Sequence, residues 1–260
     1  MEKKIILTGG GSAGHVTPNL ALLPQLLAEG IEVHYIGTAD GIERTILSER
    51  KDVTYHIISS GKLRRYFSWK NFTDPFRVMR GLFQARRVMR EVKPAAVFSK
   101  GGFVSVPVVI AAHGKHIPVV THESDYTPGL ANKINAKFAD RICVTFEDTL
   151  AHVGAKGVHT GTPIRPELYE GDAARALAFT GLSGEKPVLL VMGGSSGAQR
   201  LNEPFFGIGG EINAPGGALR HSAANLLQTH HFLLDAQLSG HERFPPVIAQ
   251  QISRSNSRAI

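Results

Sequence analysis

Cysteine is nearly absent from this chain. Cys143 is the only one in 260 residues. No disulfide can form within the chain, which excludes a disulfide-built scaffold and makes a cytoplasmic protein the expectation. Long apolar runs are missing too; none approaches the roughly 18 residues a membrane-spanning helix needs. Ile5–Leu7 is too short for the apolar region of a signal peptide and runs straight into glycines. Acidic residues are scarce between positions 62 and 93, where only Asp74 and Glu91 face ten Lys and Arg. That segment carries +8 of a net +7, so the rest of the chain sums to −1. Lysine is absent after Asn202.

What is present is an alternation of β-prone runs and helical patterns. Hydrophobic content of 42% suits a packed core. Lys4–Thr8, Glu32–Ile36, Thr54–Ser59, Ala95–Ser99, Pro118–Thr121 and Ile142–Val144 read as strands. Helical patterns fall between them at Asn19–Glu29, Ile42–Arg50, in the basic segment, at Val104–His113 and at Gly129–Phe138. Pro24 is expected to kink the first of these. In the basic segment Val78, Leu82, Ala85, Met89 and Val92 recur at spacings of three and four, the pattern of a core-facing stripe. Such alternation predicts a parallel sheet with helices on both faces and a ligand crevice at the C-terminal ends of the strands.

The polar residues of interest fall at those ends. Gly9-x-Gly11-x-x-Gly14 follows the first strand and opens a helix, a spacing that suits phosphate but is weak evidence alone. Lys100–Gly101–Gly102–Phe103 follows the fourth strand, and His122–Glu123–Ser124–Asp125 the fifth. Near Val158 a second unit is expected to begin. There Pro187–Met192 leads into Gly193–Gly194–Ser195–Ser196–Gly197–Ala198, a second strand–glycine–helix start. His15, at a helix N-terminus, would be pushed toward its neutral form, which suits a proton acceptor. A structural or phosphate-binding role stands equally open for it. His122 and Glu123 read as site-lining residues, whereas Asn132 and Lys133 read as ordinary surface or packing residues of a helix.

Taken in order, Gly10–Pro18, Lys100–Ser105, His122–Glu123, Gly129–Lys133, Gly161–Arg165 and Gly193–Ala198 resemble the lipid II-forming undecaprenyl-diphospho-muramoylpentapeptide β-N-acetylglucosaminyltransferase family. The resemblance covers residues 1 to about 202. It implies an α/β, GT-B-like fold of two facing Rossmann-like domains. On this reading, residues 1–157 form a complete acceptor and membrane domain and 158–202 begin a donor-nucleotide domain. Residues 203–260 form an atypical tail, so the second domain is incomplete. The implied activity is inverting transfer of N-acetylglucosamine from UDP-N-acetylglucosamine to lipid I, in peptidoglycan synthesis at the cytoplasmic face of the membrane. Carried over by motif, Ser12, Ala13 and Gly14 lie by the donor, Gly101, Gly102 and Glu123 line the substrate site, and Arg165 and Ser195 bind the donor. His15 is the candidate catalytic base. Where many members have His-Glu-Gln-Asn, this chain has Ser124 and Asp125 in the last two places, and Asp125 is assigned no donor contact.

The physical chemistry agrees. Leaving UDP develops negative charge that a helix N-terminus and an Arg can stabilise. The chain lacks the Asp-x-Asp pair of metal-dependent sugar-nucleotide transferases, so the sequence requires neither a metal nor a cofactor. The basic segment interleaves Tyr66, Phe67, Trp69, Phe72, Phe76 and Phe83 with its charges, which suits an anionic membrane surface. Nothing else in the chain points to nucleic acid. From Glu203 onward the strand–helix alternation fades, and the ribose-binding Glu of the family is not found. A shifted reading frame, a foreign tail or a gene fragment would each give this picture, with weakened donor affinity as the expected consequence. Two other classes stay open. A nicotinamide-dependent oxidoreductase would use the same first loop but needs an acid at the end of the second strand. There the chain reads Tyr35–Ile36–Gly37, and Asp40 comes several residues late. The other class is a non-catalytic protein that binds membranes or partners.

Overall fold

The structure is a computed structural model that describes residues 3–61, 70–181, 188–192, 218–223 and 230–235. Two compact units divide the chain, Met1–Tyr169 and Glu170–Ile260.

The first unit is built on a seven-stranded parallel sheet of order β3-β2-β1-β4-β5-β6-β7. Its strands are β1 (Lys4–Thr8), β2 (Glu32–Gly37), β3 (Val53–Ile57), β4 (Ala96–Ser99), β5 (Val119–Glu123), β6 (Arg141–Val144) and β7 (Gly157–His159). Between them run α1 (Thr17–Ala28), α2 (Ile42–Leu47), α3 (Lys70–Val92), α4 (Ser105–His113), α5 (Leu130–Phe138) and the single turn α6 (Leu150–Val153). The parallel α/β architecture matches the sequence expectation. α1 continues without a break through Pro24. β7 pairs with β6 at the sheet edge, and the first unit runs to Tyr169.

Two apolar clusters hold this sheet, one on each face, because both faces of a parallel sheet are covered by crossover helices. Leu7, Tyr35 and Val33 pack with Val16 and Leu23 at the α1 end of the chain and with Leu47 of α2. Ile6, Ile36, Val97, Val119, Ile142 and Val144 pack with Ala85, Val88 and Met89 of α3 and Val108, Val109 and Ala112 of α4. α4 is buried nearly all round, from Ser105 to Ala112, as its almost wholly apolar sequence demands. α3 is two-sided. The expected stripe holds at Ala85, Met89 and Val92, which are buried, and at Val78 and Leu82, which are partly so. Its opposite face carries Phe76, Met79 and Phe83, which are 78%, 53% and 60% exposed.

In the second unit α7 (Ala173–Thr180) is capped by the Asp172 carboxylate, which accepts from the Arg175 amide at 3.0 Å, and ends at left-handed Gly181. The strands β8 (Val188–Met192), β9 (Ala218–Ala223) and β10 (His230–Asp235) pair antiparallel in the order β8-β10-β9.

Candidate functional site

In the first sheet, β1, β2 and β3 step outward one way from β1, while β4 to β7 step the other way. The order therefore reverses between β1 and β4. The crevice beyond the C-terminal ends of the strands opens at such a switch point. Three turns meet there: Gly9–Val16 after β1, Lys100–Val104 after β4 and Ser124–Gly129 after β5.

The turns after β1 and β4 touch. A Cβ on Gly102 would stand 2.2 Å from the Gly10 carbonyl oxygen, and a Cβ on Gly101 would stand 2.6 Å from the Asn132 amide oxygen. Both glycines have positive φ, +77° and +93°, so close approach and backbone conformation each require glycine. Gly102 thereby lets the two loops meet, and Gly101 lets the second loop approach Asn132 of α5.

His15 closes a short 3-10 turn, Ala13–His15, just before α1. Its Nδ1 lies 3.1 Å from the Lys100 carbonyl oxygen. A carbonyl only accepts, so Nδ1 carries the proton and Nε2 is left with its lone pair. Burial holds the His15 pKa below the ordinary histidine value, and the Lys100 ammonium pushes the same way. The Lys100 carbonyl and the carboxylates of Glu123 and Asp125 oppose them without reversing the shift. Burial and the ammonium both favour the neutral imidazole, and with Nδ1 protonated the lone pair falls on Nε2, the arrangement a proton acceptor needs. Ser12 and Ala13 are half-buried and Gly14 is exposed. The amides of His15 and Val16 bond to Ser12 and Ala13 within the turn, and that of Gly11 bonds to the Glu43 carboxylate at 3.3 Å. Those three amides are thus unavailable to an external anion.

Lys100 is only 1% exposed, and its Nζ donates to Ser124 Oγ at 2.6 Å. Burial lowers its pKa, while the neighbouring Glu123 and Asp125 carboxylates partly restore it. Glu123 is buried, and both of its oxygens accept within the chain: Oε1 from the Asp125 amide at 2.9 Å, Oε2 from the Gly129 amide at 3.1 Å and Asn132 Nδ2 at 2.9 Å. It fastens the β5–α5 turn to the start of α5. Asn132 is buried and also donates to the His122 carbonyl at 3.3 Å, so of the surface or packing roles read from sequence it takes the packing one, within the frame of the β5–α5 turn. His122 donates from Nε2 to the Gly161 carbonyl at 2.8 Å. Its Nδ1 is buried without a hydrogen-bond partner among the described residues, and burial lowers its pKa.

The bond from His122 to Gly161 holds the Gly161–Pro163 crossing beside β5. A second tie, 2.7 Å between the hydroxyls of Thr145 and Thr162, fixes it beside β6. Arg165 follows this anchored stretch and is exposed. Ser195 and the basic residues Lys62, Arg64 and Arg65 lie outside the described residues.

Sequence reasoning missed Glu43, Tyr35 and Asn19. The Tyr35 hydroxyl donates to the Gly9 carbonyl at 2.6 Å and accepts from Asn19 Nδ2 at 3.1 Å. Only the reach of β2 and α1 beneath the loop reveals these partners, because nothing in a local pattern marks them. The ribose acid of a nicotinamide site is absent: β2 ends at Gly37, and Asp40 is exposed. Among the described residues no cluster of His, Cys, Asp and Glu could hold a metal ion.

Comparison with known proteins gives this geometry its context. The UDP-N-acetylglucosamine–N-acetylmuramyl-(pentapeptide) pyrophosphoryl-undecaprenol N-acetylglucosamine transferase of Clostridium botulinum (strain Langeland) is 57% identical over 202 residues, 77% of this chain and 57% of its own length. The protein of the same name from Clostridium tetani is 55% identical over 203 residues, 78% of this chain and 56% of its own length. The chain thus spans little more than half the length of these curated relatives. The crystal structure of Acinetobacter baumannii MurG is similar with a TM-score of 0.53 at 27% identity, over 67% of this chain and 52% of that one. The model of the glycosyltransferase family 28 N-terminal domain matches residues 5–144, more than half of the 260 residues. The protein therefore belongs to glycosyltransferase family 28.

Proposed function

We propose that this chain transfers N-acetylglucosamine from UDP-N-acetylglucosamine to lipid I, giving lipid II. The observation that carries this reading is His15 at the β1–β4 switch point, its Nδ1 held by the Lys100 carbonyl, in a chain 57% identical over 202 residues to a transferase so named. In the proposed reaction the acceptor hydroxyl loses its proton to His15 Nε2. The freed oxygen attacks the anomeric carbon from the face opposite UDP, the bond to UDP breaks, and configuration inverts. His15 has its other nitrogen fixed by Lys100, so no tautomer change is needed before it accepts the proton. Ser12, Ala13 and Gly14 border the transfer point, with Gly101, Gly102 and Glu123 shaping its far wall. Arg165 and Ser195 are proposed to bind the donor.

We further propose peripheral attachment to the cytoplasmic face of the membrane through α3. Phe76, Met79 and Phe83 form an exposed apolar stripe, flanked by the exposed Arg77, Arg80, Arg86, Arg87 and Arg90. Apolar residues between cations suit an anionic bilayer surface, and each nearby Arg adds about 1 kcal/mol. Among the described residues no helix is long and apolar enough to cross a membrane.

The test is direct. The chain is incubated with lipid I and UDP-N-acetylglucosamine beside a family member with an ordinary C-terminal domain. Formation of lipid II supports the reading. Its absence here, with turnover by the control, contradicts it and favours a non-catalytic binding protein.

A further inference from the structure

Glu43, on α2, has no place in the reaction just described, yet it is 1% exposed and lies directly beneath the Gly9–Gly14 loop. Its Oε1 accepts from the Thr38 amide at 3.0 Å and the Thr38 hydroxyl at 2.7 Å; its Oε2 accepts from the Gly11 amide at 3.3 Å. No lysine or arginine forms an ion pair with it among the described residues. Three glycines make its slot. A Cβ on Gly10 would stand 2.6 Å from the carboxylate carbon, one on Gly41 2.1 Å from Oε1, and one on Gly37 2.8 Å from Cγ. Gly10 lies in the turn after β1, Gly37 at the end of β2 and Gly41 in the turn that follows, so one side chain ties both turns together. A buried carboxylate without a cation is costly, and a hydrophobic filler would have closed the same gap more cheaply.

We propose that Glu43 is a positioning residue for the transfer reaction: by taking the Gly11 amide inward, it turns the Ser12–His15 segment outward and fixes where the His15 imidazole stands. Gly11 has a φ of +87°, a conformation that the bond to Glu43 helps to hold. Its charge also makes the Gly10–Gly11 end of the loop a poor place for a phosphate. The kinetic part of this inference rests on the transferase reading; the structural part does not.

The test uses the full chain and Glu43→Gln, which keeps volume but replaces one acceptor oxygen with a donor. Three quantities are measured: exchange of the Gly11 and Thr38 amides, the imidazole resonances of His15 against those of His113, and steady-state turnover. Amide exchange is expected to quicken about tenfold or more, because charge-assisted bonds are lost. The His15 resonances move while those of His113 do not. kcat falls about tenfold or more, with KM for UDP-N-acetylglucosamine within about twofold, as misplacement of a reacting group predicts. Faster exchange with unchanged His15 resonances and unchanged kcat would make Glu43 a structural filler and overturn the proposal. If the parent chain makes no lipid II, the transferase reading fails on its own, and the His15 resonances alone decide: movement supports positioning and constancy overturns it. If Glu43→Gln does not fold, Thr38→Val removes one donor and leaves the carboxylate in place. The same shifts at smaller size then support the proposal, and their absence overturns it.

Discussion

The two glycine-rich turns at the switch point are built from opposite charges. The turn after β1 sits on the Glu43 carboxylate, which accepts three hydrogen bonds from within the chain. The turn after β4 begins with the Lys100 ammonium, whose side chain bonds only Ser124 among the described residues. The first turn is thereby closed on itself, and the second keeps a cation beneath the crevice. His15 joins them, since it belongs to the first turn and bonds the backbone of the second. A glycine fingerprint alone therefore does not identify a phosphate cradle. What lies beneath the glycines matters as well: the Glu43 carboxylate under the first turn takes up the Gly11 amide.

Breaking the contact between the turns has the largest expected effect. Gly102→Ala puts a methyl against the Gly10 carbonyl at a φ of +77° and should cost about 2–4 kcal/mol, read as a lower urea midpoint and loss of turnover. A midpoint equal to the parent's would mean that the turns are not in contact. Next in size is His15→Asn, which should lower turnover about 10²- to 10⁴-fold with little change in thermal midpoint. Neutralising α3 comes third. Arg80→Gln should weaken binding to anionic vesicles about fivefold at low salt, the equivalent of about 1 kcal/mol for one charge. No vesicle binding by the intact protein at low salt would refute membrane attachment altogether.

Smaller shifts sharpen the same comparison. Lys100→Met removes the ammonium that helps keep His15 neutral, so the His15 pKa should rise. The acid limb of the turnover–pH profile should then move to higher pH, and an unmoved limb would separate Lys100 from His15. Stability also responds to pH. His15, His34, His56 and His122 all have pKa values lowered by burial. Below the unfolded histidine value of about 6.5 the unfolded chain binds more protons than the folded one, so folding stability falls as the pH drops from there. Urea midpoints at pH 7.5 and 5.5 check the sign.

The sheet was legible because continuous apolar runs such as Ile5–Leu7 and Val119–Val120 have one stable placement, between two layers of helices. The positions of His15, Gly101 and Gly102 followed from strand ends and glycine spacing. Glu43 did not, because its partners Gly11 and Thr38 lie 32 and 5 residues away and share no periodicity with it. Asn132 was left between surface and packing for a related reason: the sequence does not show that Glu123 stands beside it. The aromatic face of α3 was legible as composition, whereas its separation from the core stripe needed the helix to be docked.

The most direct test of the account is lipid II formation by the intact chain and by His15→Asn at matched protein folding. The account predicts turnover by the parent and a fall of about 100-fold or more in the variant. Equal turnover by the two would contradict the placement of the reaction at the β1–β4 switch point.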